Sequence, residues 1–158
     1  MTNENVRNVP RALRMRPAIR VVVDPKVIQG AVWGGRSSIT VMDAWREEQI
    51  HLCVTEHIMR DYFQTLGRLE PTAWMEAVLQ QLREGRGVRA FMVQTAGSPP
   101  EDELLRCAQV SESAAVITHD VNLLDLVQVG GVAILGPGAF VRKFLESAAP
   151  WNVKESSG

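Results

Sequence analysis

Residues 19–24 read IRVVVD, and the interpretation of the whole chain starts from them. Three consecutive valines form the short apolar run that is typical of a strand buried on both faces of a parallel sheet. Because aspartate is unfavourable inside a strand, we place Asp24 at the carboxyl end of this strand, with a turn at Pro25. Open α/β sheets bind their ligands beyond the carboxyl ends of the strands. Asp24 is therefore either a site residue or a helix cap.

The rest of the chain alternates apolar runs with helical patterns, the runs falling at residues 50–54, 88–93, 114–118 and 132–135. Thr55 is placed to cap one helix, Pro71 opens the next, and a last helix is predicted over 138–147. This alternation predicts an α/β fold with a mostly parallel sheet, helices on both faces and the first strand inside the sheet. The tryptophans predicted to lie in the core are Trp33, Trp45 and Trp74.

Composition and charge indicate one soluble domain. The chain has 158 residues, 46% of them hydrophobic, and a net charge of −1, which gives no overall basic signature for nucleic acid. We predict a basic flexible arm at 1–18, one folded domain at 19–148 and a polar tail at 149–158. Cys53 and Cys107 read as buried free thiols of a reducing compartment. Without an apolar signal-peptide core or a membrane-spanning run, we expect a cytoplasmic protein.

A second strand also ends in an acid, because the run 114–118 is followed by His119 and Asp120. If the two strands are parallel neighbours, Asp24 and Asp120 arrive at the same edge of the sheet. Asp61 and Asp102 lie on helices that can overhang this edge. Such a group of carboxylates repels itself unless it binds cations, and hard ions such as Mg²⁺ or Mn²⁺ suit it.

Each of these acids also has a purely structural interpretation. Asp120 can cap the turn that follows it, and Asp102 can pair with Arg106 one helical turn later. Asp61 and Glu56 lie on opposite flanks of the apolar stripe of their helix, so amphipathicity does not choose between them.

Residues 19–146 resemble the PIN-domain family. The similarity runs in order through VVVDPKVI, the helix containing Asp61, EDELLRCA, VITHDVNLL and VAILGPGAF. It is greatest for the branch assigned as toxins of toxin–antitoxin pairs. The resemblance implies a three-layer α/β/α PIN-like domain that binds Mg²⁺ or Mn²⁺ and cleaves RNA, with a cognate antitoxin as partner and a homodimer as its assembly.

The resemblance also implies roles for individual residues. The acids that match the catalytic set of the family are Asp24, Asp61, Asp102 and Asp120. The metal ligands among them are Asp24, Asp102 and Asp120, and the residues expected to contact substrate are Lys26, His119 and Asn122.

Lys26 departs from the family pattern, which has a small polar residue after the first acid. Bent inward, its ammonium would compete with a metal for the carboxylates; turned outward, it could hold a substrate phosphate. The inward alternative favours a second function, a catalytically weakened module that binds RNA or protein. A phosphotransferase of the haloacid-dehalogenase type is disfavoured, because it needs an acid at the position of Lys26.

Overall fold

The computed structural model describes residues 17–93 and 100–146, and the side chains of 100–102 lie outside that description. Its strands are β1 (Ile19–Val23), β2 (Ile50–Val54), β3 (Val88–Ala90), β4 (Ala115–Ile117), β5 (Gln128–Val129) and β6 (Val132–Leu135). Its helices are α1 (Pro25–Val32), α2 (Arg36–Arg46), α3 (Glu56–Gly67), α4 (Ala73–Glu84), α5 (Pro100–Val110), α6 (Val121–Leu124) and α7 (Pro137–Phe140), and a π-helical turn (Val141–Glu146) follows the last of them. The predicted tail at 149–158, and the predicted arm up to residue 16, lie outside the described residues.

The strands form one six-stranded sheet in the order β3-β2-β1-β4-β6-β5. Every neighbouring pair is parallel except β5 and β6, which form an antiparallel hairpin. The predicted α/β fold with a mostly parallel sheet is confirmed, and so is the interior position of β1, which lies between β2 and β4. From β1 the chain first builds outward through β2 and β3, and then crosses to the other side of β1 to form β4.

Both faces of the sheet are covered at β1. Successive side chains of a strand point to opposite faces, and Val21, Val22 and Val23 are each 0% exposed. Burial on both faces explains why this strand is a continuous apolar run instead of an alternating one. The arrangement is compatible with three α/β/α layers.

Several predicted boundaries change in the structure. The third strand ends at Ala90 instead of residue 93, and α4 begins at Ala73 because the hydroxyl of Thr72 caps it, so Pro71 does not open the helix. The hairpin strand β5 was not predicted, since two residues are too few to produce an alternating pattern. The last helix changes to a π-helical turn at Val141, where a single α-helix was predicted.

The tryptophans that were predicted to lie in the core differ in their exposure. Trp45 is 0% exposed and donates its indole N–H to the carbonyl of Gly87 at 3.1 Å, as expected for a core residue. The core prediction is wrong for Trp33, which is 70% exposed, because it follows the last residue of α1 at the turn into α2. No helix in the part of the chain that the structure describes has the length and apolarity needed to cross a membrane.

Candidate functional site

A row of residues follows the carboxyl ends of neighbouring strands. Val23 is in register with Ile117, and Val21 with Leu52. Continuing these registers past the strand ends places Asp24 between Thr118, which follows β4, and Thr55, which follows β2. Neighbouring members of such a row lie about 5 Å apart. The sheet thereby sets the spacing of the candidate site.

Asp24 is held from two sides. Its Oδ1 accepts a hydrogen bond of 3.0 Å from the backbone N–H of Lys26, which makes it the N-cap of α1. Its Oδ2 accepts a hydrogen bond of 2.8 Å from the hydroxyl of Thr118. Pro25 begins the helix, where its missing N–H costs no hydrogen bond. The capping interpretation is therefore correct, and the second oxygen is directed toward β4.

Asp120 joins the same hydrogen-bonded unit. Its backbone N–H donates to the hydroxyl oxygen of Thr118 at 3.0 Å, so one threonine side chain that is 0% exposed links both aspartates. Its Oδ1 accepts from the backbone N–H groups of Asn122 at 2.8 Å and Leu123 at 3.4 Å, which makes it the N-cap of α6. Among the described residues, its Oδ2 has no hydrogen-bond partner. The structure therefore brings Asp24 and Asp120 to one edge of the sheet.

Asp61 lies on α3, the helix that follows β2. Its Oδ2 is 3.3 Å from Nε2 of His57, one turn earlier on the helix, and its side chain is 35% exposed. The next residue, Tyr62, donates its hydroxyl to the carbonyl of Val23 at 2.6 Å, which fixes α3 to the end of β1. Asp61 is thus on the expected helix, paired with a histidine. Among the side chains that the structure describes, which do not include those of residues 100–102, no three His, Cys, Asp or Glu residues gather closely enough to hold a metal ion.

Asp102 is the third residue of α5, and its side chain lies outside the described part of the structure. The next residue, Glu103, is a carboxylate that the sequence analysis did not select. It is 5% exposed, and its Oε2 accepts a hydrogen bond of 2.5 Å from the hydroxyl of Thr55. Its position four residues before the buried Cys107 is the signal that could have identified it, because that spacing places it on the buried face of the helix.

Thr55 and Thr118 have equivalent roles on the two sides of Asp24. Each is buried, each directly follows a strand, and each donates its hydroxyl to a carboxylate. Thr55 also accepts from the N–H of Ile58 at 3.1 Å, which confirms the predicted cap of α3. The row therefore orients two carboxylates, those of Asp24 and Glu103, by the same type of contact.

The predicted substrate-contacting residues lie around this row. The side chain of Lys26 is exposed, and no carboxylate oxygen among the described side chains lies within 4.0 Å of its ammonium. His119 is exposed. A Cβ built on Gly30 of α1 would lie 3.8 Å from Nε2 of His119, so the imidazole ring lies close to α1. Asn122 is exposed and contributes its backbone N–H to Asp120.

A group of buried titratable side chains lies beneath the row. Burial raises the pKa of the Tyr62 hydroxyl well above its usual value of 10.0, and the nearby Cys107 and Asp24 raise it further, against the opposing effect of the bond to Val23. Tyr62 therefore remains a protonated hydrogen-bond donor. Burial likewise raises the pKa of the Cys107 thiol from 9.0 to about 12, with contributions from Cys53 and Glu103.

Cys107 should consequently be unreactive in the folded protein. The thiolate is the nucleophile, so a rise of three pKa units lowers its population near pH 8 by roughly a thousandfold. We expect iodoacetamide to leave Cys107 unmodified in native protein and to alkylate it fully in guanidinium, as measured by mass spectrometry of peptides. Rapid native alkylation would show that the α5 packing opens readily.

The same shift has a consequence for stability at alkaline pH. The unfolded thiol loses its proton near pH 9, and the folded thiol only near pH 12. The contribution of Cys107 to the free energy of unfolding is therefore complete below pH 9 and is lost as the pH rises toward 12.

Comparison of the chain with protein-family models, with curated proteins and with solved structures gave no match.

Proposed function

We propose that the protein is a metal-dependent endoribonuclease of the PIN-domain type, acting in the cytoplasm as the toxin of a toxin–antitoxin pair. In this proposal RNA is the substrate, Mg²⁺ or Mn²⁺ the cofactor, a cognate antitoxin the inhibitory partner and a homodimer the assembly. The observation that carries the proposal is the junction of Asp24 and Asp120 through one buried threonine at the carboxyl ends of β1 and β4.

The location of this junction supports a ligand site. The chain builds from β1 toward β2 on one side, and returns to β4 on the other side, so the gap between β1 and β4 is a topological switch point. In open α/β sheets, ligands bind in the crevice outside the carboxyl ends of the strands at such a point. Two helix caps that share one threonine at this crevice are better placed for ligand binding than caps elsewhere on the sheet.

The donors available here fit a hard divalent cation. Asp24 and Asp120 present carboxylate oxygens, and Oδ2 of Asp120 has no partner among the described residues. Oxygen donors are the ones that Mg²⁺ and Mn²⁺ prefer. With Asp102 and Asp61 as the remaining acids of the proposed set, such an ion would supply Lewis acidity and an activated water molecule.

The chain's own residues have distinct parts in this proposal. Thr118 holds the carboxylate of Asp24 and the backbone of Asp120 in a fixed relation. Lys26 extends into solvent beside them and offers a positive charge to a phosphate of the RNA. Tyr62 fixes the end of β1 from below and keeps the first aspartate in place.

The second candidate function is a PIN-like module that binds RNA or protein with weakened catalysis. The observation favouring it is that both aspartates already cap helices, Asp24 for α1 and Asp120 for α6. It differs from the first candidate in its response to divalent metal.

The test is a cleavage assay with purified protein. End-labelled single-stranded RNA is incubated with Mn²⁺ or with EDTA, and Mn²⁺ binding is measured by calorimetry in parallel. We expect cleavage with Mn²⁺, none with EDTA, and a measurable heat of Mn²⁺ binding. RNA binding without cleavage and without Mn²⁺ binding would favour the second candidate.

Replacing Lys26 by Asn distinguishes the two orientations considered for its side chain. Because its ammonium forms no ion pair with a described carboxylate, we expect the Mn²⁺ dissociation constant of Lys26→Asn to stay within about threefold of the parent value. RNA binding should weaken several-fold, and its dependence on log salt should become shallower by about one unit, as for a lost phosphate contact. Tighter Mn²⁺ binding in the variant would show instead that Lys26 competes with the metal.

A further inference from the structure

An apolar pocket lies between α3 and the edge of the sheet. Its volume is about 580 Å³. The sheet contributes Val54, Val88 and Ala90, and α3 contributes Met59 and Phe63. Val54 and Ala90 are register partners, so they point to the same face of the sheet. The pocket is thus a groove along the outer side of α3, over the edge strand β3.

The pocket reaches the same sheet edge as the two aspartates. Extending the register of Val54 and Ala90 by one residue places Phe91 beside Thr55, which in turn stands beside Asp24. Both Phe91 and Thr55 line the pocket. Two strand spacings separate Phe91 from Asp24, a distance of about 10 Å. A short stretch of single-stranded RNA can span it.

The walls of the pocket suit a flat aromatic ligand. Phe63 and Phe91 supply rings, and the thioethers of Met59 and Met92 are adaptable apolar surfaces. Met92 is 96% exposed, so this apolar surface is open to solvent. The guanidinium of Arg83 lies 5.7 Å from the ring centroid of Phe63, which helps to hold that ring in place. Nucleobases stack on such side chains whatever their sequence.

The rim of the pocket carries an arginine that is paired with a glutamate. Glu56 begins α3, and its carboxylate is 3.1 Å from the guanidinium of Arg60, which offsets its negative charge. Both side chains line the pocket and are more than half exposed.

We propose that this pocket is a subsite for one base of single-stranded RNA, adjoining the phosphodiester held at Asp24 and Asp120. This inference rests on the proposed nuclease function, which it extends by naming a base-binding element. Continuity along one sheet edge and aromatic walls with a paired arginine at the rim favour a nucleotide. A protein segment seated in the pocket is the alternative that the following experiment separates.

The experiment measures binding of a fluorescein-labelled single-stranded RNA octanucleotide by anisotropy in EDTA. A second probe of the same length carries an abasic ribose at every position. For the wild-type protein we expect the loss of the bases to raise the dissociation constant by about tenfold, as for one lost stacking contact. Equal affinity for the two probes would overturn the proposal.

Three variants locate the effect. Ala90→Trp fills the pocket from an exposed position on the edge strand and should abolish the abasic penalty, while Phe63→Leu removes a ring and should reduce it. Trp33→Leu removes an exposed ring outside the pocket and should leave the penalty unchanged. A full penalty in Ala90→Trp would overturn the assignment even if Phe63→Leu failed to fold.

Parallel reactions with Mn²⁺ separate this proposal from the nuclease proposal. Cleavage of both probes without an abasic penalty would leave the nuclease standing and exclude the subsite. A penalty that depends on Ala90 but is accompanied by no cleavage would leave the subsite standing and exclude the nuclease. If the wild-type protein bound neither probe, the proposal would be wrong.

Discussion

Asp24→Asn should lose RNA cleavage by roughly a thousandfold while the protein remains folded. A metal ion stabilises the charge of a phosphoryl transition state by several kcal/mol, and each 1.4 kcal/mol is a factor of ten. The asparagine keeps Oδ1 as an acceptor for the N–H of Lys26, so the cap of α1 survives. The oxygen that accepts from the Thr118 hydroxyl becomes an amide N–H, so we expect the unfolding free energy without metal to fall by about 1 kcal/mol. Cleavage assays and urea denaturation, each with and without Mn²⁺, measure the two effects.

Asp43→Asn is the matched control for this substitution. Asp43 is an exposed acid on α2, away from the carboxyl ends of β1 and β4, and its replacement should leave cleavage and Mn²⁺-induced stabilisation unchanged. If Asp24→Asn cleaves RNA at the parental rate, Asp24 serves only as a helix cap and the nuclease proposal fails at its first residue.

Thr118→Val should affect both stability and metal binding. Valine preserves the shape of a side chain that is 0% exposed but removes the hydroxyl that donates to Asp24 and accepts from the N–H of Asp120. Losing both contacts should cost about 2 kcal/mol of unfolding free energy. Because outer-shell contacts orient metal ligands, the Mn²⁺ dissociation constant should rise about 10- to 100-fold. Denaturation and calorimetry provide the two measurements.

Two further variants show whether the hydroxyl itself matters. Thr118→Ser keeps it and should recover most of the Mn²⁺ affinity. Thr40→Val removes an exposed hydroxyl that bonds only within α2, and should change stability by less than about 0.5 kcal/mol. Unaltered Mn²⁺ binding in Thr118→Val would mean that the threonine supports the fold and has no influence on the carboxylates.

The sheet could be predicted from sequence because residues that are buried on both faces of a sheet must be apolar, and such runs are visible in the sequence. The valines of β1 are covered on both faces, so they had to be apolar without interruption. The β5 strand produces no such apolar run, because it is two residues long. Its hairpin depends on the backbone conformation at Val127 and Gly130, which both have positive φ. The exposed Trp33 was misassigned because its position depends on where α1 ends, and helix ends are the least certain part of such predictions.

The site could be predicted less completely. That Asp24 and Asp120 meet follows from two strands ending in acids and lying side by side, which the sequence pattern contains. The contribution of Thr118 and of the Thr55–Glu103 pair depends on register across strands and helices far apart in the chain. No local spacing encodes that register. The spacing of Glu103 and Cys107 places the acid on the buried face of its helix, but its partner Thr55 is recognised only when the packing of that helix is known.

The contact between Asp24 and Thr118 joins residues that are 94 positions apart. Bringing together residues so far apart in the chain costs more conformational entropy than forming a helix from neighbouring residues. We therefore expect β1 to pair with β4 late in folding. During synthesis, the first aspartate emerges from the ribosome long before the second. A nascent chain would therefore contain only Asp24 of the junction until residues 118–120 have been made. If the protein is a nuclease, the order of translation itself delays its activity until synthesis has passed β4.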